Sequence, residues 1–243
     1  MSTTHRTHTA QKIDAIPGTP LYTGLHRKEK TQINLISYDD TAQIFTKNVD
    51  LKAVDQALKS DNYCWVQILG LSETEKLRAI GKHFQLHSFV VEDILNVHQS
   101  PKVEEIKNGL FLALQWFAFS DEHLLKEQVS IIFTPGGILS FCEHKQHPFQ
   151  SIENRLRKGE NRVRKEGYEY LLYSLIDRII DQYFLVLDNF EERLLSLNKK
   201  ILSEESFDAL TELHQLKTEL LFRKHSRPLK LPQSIIGRFW RGK

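Results

Sequence analysis

The chain is 243 residues long, with 33 Lys and Arg against 31 Asp and Glu, a formal charge of +2 and 40% hydrophobic residues. That length accommodates one large domain or one domain with an appendage, and the composition is that of a globular chain able to bury a core. A net charge this close to balance does not by itself imply a nucleic-acid partner.

Residues 1–30 are polar, contain Pro17, Gly18, Pro20 and Gly24, and read as an extended, partly disordered lead-in. Their start, MSTTHRTHTAQK, lacks the apolar centre of a secretory signal, so the chain is expected to stay in the cytoplasm. A first strand is expected in QINLISYD, where Ile33 and Leu35 alternate with their neighbours, and a short helix over Leu51 to Lys59. YCWVQILG, Tyr63 to Gly70, is aromatic and β-branched enough for the inside of a sheet. In SETEKLRAIGKHF, Ser72 is the expected cap of a helix whose Leu77, Ile80 and Phe84 share a face.

Three apolar runs follow: Gly109 to Phe119, Gln128 to Thr134 and Gly137 to Glu143, the last two joined by the hairpin signal TPGG. Runs apolar on nearly every residue belong to a sheet covered on both faces. The longest uncharged stretch, Gln128 to Cys142, is shorter than the roughly 18 apolar residues of a spanning helix. Cys64 and Cys142, the only cysteines, are too few and too far apart for a disulfide framework or a paired-cysteine zinc site. Residues 31–147 thus read as an α/β domain, a mixed sheet between helices in an α/β/α sandwich.

The pattern changes near Phe149. From Tyr168 to Leu202 apolar residues recur every three or four positions, through Leu172, Ile176, Ile179, Tyr183, Val186, Phe190, Leu194, Leu197 and Ile201. That predicts one helix of roughly 35 residues, about 50 Å long. A break at SEES, with Ser203 as cap, leads to a second long helix ended by Pro228. Residues 148–230 are therefore expected to form a long antiparallel helical hairpin, followed by a basic tail over 231–243.

The stretch VVEDILNVHQSPKVEE, Val90 to Glu105, sets two carboxylates, a histidine and a proline-lysine pair among apolar residues. On a helix, Glu92 and Asp93 point about 100° apart, so one at most faces inward or toward a partner. His98 joins them only if the helix ends near Asn96 or other elements add ligands. Two readings stand: a capped, solvated helix end, or part of a metal site.

VVEDILNVHQSPKVEEIKNGLFLALQWF resembles the central motif of the CorA family of magnesium transport proteins, with its E-D-I-L-N, P-K-V-E and following apolar strand. IPGTPLYTG, YEYLLYSLIDRIIDQYF and ELHQLKTELLFRKHSRPLK resemble three further family segments in the same order, from about Ile16 to Lys230. The resemblance implies a cytosolic α/β domain with long helices on the cytoplasmic side of the inner membrane. It further implies a homopentamer in which divalent ions bound between neighbouring domains hold a membrane pore closed. Asp93 matches the main acidic ligand. Glu92, His98 and an aspartate early in the long helix, Asp181 or its substitute Asp177, match a second site. Asn96, Pro101 and Lys102 belong to the same motif. The expected cation is Mg2+, with Co2+, Ni2+ or Zn2+ as alternatives, since the His98 imidazole suits the latter three better.

The family's stalk helix, which supplies an aspartate from the adjacent subunit, and its two membrane helices with their Gly-Met-Asn motif are expected beyond Lys243. Ser100 stands where the family usually has arginine, and Pro232 is an addition. Within the family, a zinc-transporting member is the alternative; outside it, a free metal-sensing or partner-binding relative. No nucleotide-binding, zinc-protease or serine-nucleophile signature is present, so neither an enzyme nor a small-molecule substrate is expected. The seven basic residues from Arg223 to Lys243 read as a solvated or membrane-proximal tail rather than a nucleic-acid site.

Overall fold

Successive side chains on a strand point to opposite faces, and in this chain both faces are apolar. Along β3 (Tyr63–Leu69), Trp65 and Leu69 enter one core while Val66 and Ile68 enter another. The structure, a computed structural model, describes residues 20–24, 29–107, 109–120, 123–159, 161–202, 212–214 and 216–217.

Besides β3, the strands are β1 (Gln32–Tyr38), β2 (Gln43–Thr46), β4 (Lys102–Ile106), β5 (Gly109–Ser120), β6 (His123–Thr134) and β7 (Gly137–Cys142). Among the described residues these seven form one sheet in the order β2-β1-β3-β7-β6-β5-β4. Neighbours are antiparallel except β3 and β7, where Val66 lies beside Leu139 in a parallel pair, so the sheet is mixed as expected.

Three helices cover one face: α1 (Leu51–Leu58), α2 (Thr74–His83) and α3 (Ser88–Leu95), through Val54, Leu77, Ile80, Val91 and Ile94. Three cover the other: α4 (Gln150–Lys158), α5 (Asn161–Lys165) and α6 (Gly167–Leu202), through Ile152, Leu156, Val163, Leu172, Leu175 and Ile179. The result is an α/β/α sandwich extended by one long helix. α6 has 36 residues, within one residue of the span its periodicity predicts. Its first turn is bolted to the sheet: the Tyr168 hydroxyl accepts from the Cys64 amide at 2.9 Å and donates to the Gly136 carbonyl at 3.1 Å.

Farther along α6, Val186 and Phe190 pack with Phe117 of β5 and with Leu216. Lys200 pairs with Glu212 at 2.7 Å, and residues 212–214 are helical, so this short described segment lies against α6. Ser203, most of the second long helix expected from the sequence and the basic tail lie outside the described residues.

Local chemistry departs from expectation at two places. Ser72 does not cap α2; its hydroxyl donates to the Glu29 carbonyl at 2.5 Å, and the cap position falls on Glu73, whose carboxylate instead accepts from the Thr31 amide at 2.6 Å. β6 begins at His123, before the apolar run, because Lys126 and Glu127 pair with Phe117 and Trp116 of β5 in the same ladder.

Candidate metal centre

The Glu92–Asp93 pair lies on α3, whose Val90, Val91, Ile94 and Leu95 are buried against the sheet, leaving both acids half-buried on the outer side. His87 caps the helix start, its Nδ1 accepting from the Phe89 amide at 3.3 Å.

The last carbonyls of a helix have no partner within it and must find one elsewhere. Here the Asp93 carbonyl accepts from Gln99 at 2.6 Å and from Gln128 of β6 at 2.9 Å, and the Leu95 carbonyl accepts from the Thr23 amide at 3.1 Å. Thr23 Oγ1 accepts in turn from the Val97 amide at 3.1 Å, and the Thr23 carbonyl lies 3.2 Å from His98 Nε2. The helix ends at Asn96, whose amide donates to the Glu92 carbonyl at 2.9 Å. Side chains from three separate segments thus fix the backbone from which Asp93 projects.

The Asp93 carboxylate faces Lys102, the first residue of β4, with Oδ2 2.6 Å from Nζ. Lys102 also reaches Glu104 Oε1 at 2.8 Å, and its ammonium lies 5.7 Å from the centre of the Phe111 ring. Asp93 is 21% exposed and Lys102 27%, so the pair is partly desolvated, whereas Glu104 is 47% exposed. Burial pushes the Asp93 carboxyl above its usual range; Lys102 counters this, while Glu104 and Glu92 add to it. Lys102 is itself pulled down by burial but raised overall by its two carboxylates. The two shifts point in opposite senses for one ion pair: burial outweighs the single shared ammonium at Asp93, whereas two carboxylates outweigh burial at Lys102.

His98 is exposed, beside the Thr23 carbonyl. Asp177 and Asp181 are on α6, half-buried and exposed respectively, and the Asp177 charge pushes the Tyr173 hydroxyl up. The buried residues of α3 and those flanking Asp177 and Asp181 pack on opposite faces of the sheet. Among the described residues no three His, Cys, Asp or Glu side chains come together in a way that could hold a metal. One chain thus brings Asp93 and Lys102 together, but does not gather Glu92, His98 and the α6 aspartates around one point.

A second polar cluster lay beyond sequence reasoning. Where β7 ends beside the first half of β6, His144 lies 3.0 Å from Glu127 and 3.3 Å from Glu29, and the Tyr22 hydroxyl donates to Glu143 at 2.9 Å. Burial raises Glu127 to about 7 and also raises Glu143. These residues are scattered between positions 22 and 144 with no common spacing; the only available signal was polar residues interrupting apolar strand ends.

The family model described as CorA-like Mg2+ transporter protein matches residues 60–233. The cobalt/magnesium transport protein CorA of Thermotoga maritima is 35% identical over 225 residues, 91% of this chain and 64% of that protein. The chain therefore spans less than two thirds of the length of that relative. The soluble domain of CorA from Methanocaldococcus jannaschii has the same fold, with a TM-score of 0.62 at 16% identity, covering 79% of this chain and 74% of that one. The ZntB cytoplasmic domain from Vibrio parahaemolyticus matches with a TM-score of 0.55 at 16% identity, covering 82% and 78%. Among the described residues no helix is long and apolar enough to cross a membrane. By family-model match, sequence identity and fold together, this chain belongs to the CorA-like Mg2+ transporter protein family, a family of transporters rather than of enzymes.

Proposed function

We propose that this chain is the cytoplasmic regulatory domain of a divalent-cation transporter, with Asp93 as its principal cation ligand at the seam between subunits of a homopentamer. The observation that carries the reading is the setting of Asp93: in a chain of this family, it stands half-buried on a fixed helix end with a cationic group 2.6 Å away. A single hard-oxygen donor suits magnesium, which keeps several waters and is usually bound through one or two carboxylates. The acids Glu92 and Glu104 deepen the negative potential around it. The chain's own residues fit the ion as a partial site, and the remaining ligands come from an adjacent subunit. Glu92, His98 and Asp181, or Asp177, form a second site completed in the same way.

The physics of such a seam couples occupancy to assembly. Carboxylates brought face to face across an interface repel until a cation lies between them. Asp93 then draws neighbouring domains together when the cytoplasmic cation is plentiful and lets them part when it is scarce, which biases the pore toward closure or opening. The name of the Thermotoga maritima relative supports Mg2+ and Co2+ as the cations.

The test is the thermal unfolding of the 243-residue chain with and without MgCl2 or CoCl2, for wild type and Asp93→Ala. The cations raise the wild-type midpoint, and the variant loses that response while keeping its circular dichroism spectrum. An unchanged response in the variant contradicts the reading.

A further inference from the structure

The Lys102 ammonium is seated against one oxygen of the Asp93 carboxylate. It lies 2.6 Å from Asp93 Oδ2, with Glu104 as a second resting place at 2.8 Å. The Lys102 backbone is held by β4, where it pairs with Ala113 of β5, and the Asp93 backbone is held by Gln99 and Gln128. With both main chains held by these bonds, exchange at the carboxylate falls to the lysine side chain. A metal and an ammonium against one carboxylate would be two cations at close range, and they repel.

We propose that Lys102 is a tethered competitor that sets the concentration at which the Asp93 site fills. This rests on the reading of Asp93 as a cation ligand. In the metal-free state Lys102 neutralises Asp93 and keeps the half-buried carboxylate satisfied. On binding, the ammonium rotates to Glu104, which retains it and lowers the cost of displacement. A monovalent ion offers no more charge than the lysine already in place, whereas a divalent ion offers twice as much. Lys102 thereby shifts the site toward divalent cations and toward higher concentrations. The apparent affinity is the intrinsic one reduced by the fraction of chains in which Asp93 is released.

The experiment is calorimetric titration of MgCl2 and of CoCl2 into the 243-residue chain, in a constant potassium background. The wild type is compared with Lys102→Met, Lys102→Gln, Glu104→Gln, Asp93→Ala and Lys107→Met, the last being an exposed lysine just past β4. Both Lys102 variants are expected to bind about tenfold more tightly, equivalent to about 1.4 kcal/mol. Glu104→Gln binds more weakly, because the displaced ammonium loses its second partner, and Lys107→Met is unchanged. If Asp93→Ala abolishes binding while the Lys102 variants match wild type, the competitor role is overturned and Asp93 remains the ligand. If Asp93→Ala binds as wild type does, the ligand assignment fails, and the competitor role with it. Equal gains at Lys102 and Lys107 would show only a general effect of charge and would also overturn the proposal, as would failure of wild type and both Lys102 variants to bind. Lys102→Gln preserves the test if Lys102→Met does not fold.

Discussion

Tyr22 and Glu143, 121 residues apart in sequence, share a buried hydrogen bond of 2.9 Å. Thr23, the next residue, is bonded to the end of α3. Two successive residues of the lead-in therefore join the end of β7 to the helix that carries Asp93. Rigidity at Asp93 is supplied by contacts remote in sequence.

Gly24 packs directly on that hydrogen bond, and a Cβ there would fall on the Tyr22 hydroxyl and the Glu143 carboxylate. Gly24→Ala should destabilise the chain by about 1–3 kcal/mol in a denaturant titration. Hydrogen exchange of the Val97 amide, bonded to Thr23 Oγ1, should accelerate as well. Wild-type stability and exchange in the variant would show that the strap does not depend on this contact.

Glu127 makes stability fall as pH rises. Burial lifts its carboxyl from 4.5 to about 7, against the pull of His144, with Glu143 and Glu29 adding to the lift. The folded state therefore binds the proton more tightly than the unfolded one. The associated stabilisation, about 3 kcal/mol at most, is complete below pH 4.5 and lost as pH climbs through 7. Glu127→Gln should flatten the melting temperature between pH 5 and about 8 and raise it at the alkaline end. A pH profile parallel to that of wild type would contradict this.

Glu153 acts in the opposite sense. Burial pushes it up, but His147 at 3.0 Å and Gln67 at 2.8 Å outweigh burial and hold the carboxyl below its usual range. A depressed carboxyl contributes stability above its unfolded pKa and loses it as pH falls through the folded value. Glu153→Gln should cost about 2 kcal/mol near neutrality and progressively less in acid. Urea titrations of both proteins at neutral and acidic pH distinguish this from a loss that is the same at both.

The bridge between α6 and β3 rests on one hydroxyl. Tyr168→Phe leaves the Cys64 amide without its 2.9 Å acceptor and should cost about 1–2 kcal/mol with little change in fold. Stability equal to wild type, measured in urea, would mean that the aromatic contact between Tyr168 and Tyr63, at 5.0 Å, suffices to seat the helix.

What could be read from the sequence follows its physics. β3, β5 and β7 were legible as continuous apolar runs, and α6 as a long apolar pattern of helical period. β2 was not: four residues at a sheet edge alternate only between half-buried and exposed, too weak a pattern to notice. Ser72 misled because a serine before acidic residues suggests a cap, whereas its hydroxyl is used by a lead-in carbonyl 43 residues away. The divergence of Glu92 and Asp93 was legible from helical geometry, whereas the helix end at Asn96 entered only as a condition for bringing His98 near. The seating of Lys102 on Asp93 was not legible, since it depends on β4 folding back beside α3.

The most direct test of the cation-sensing account is anomalous scattering from crystals of this chain grown with CoCl2. The account predicts cobalt against the Asp93 carboxylate, at about 2.1 Å as for small hard divalent ions. It also predicts Lys102 withdrawn onto Glu104. Ordered cobalt elsewhere, or none, with Lys102 still 2.6 Å from Asp93, would contradict it.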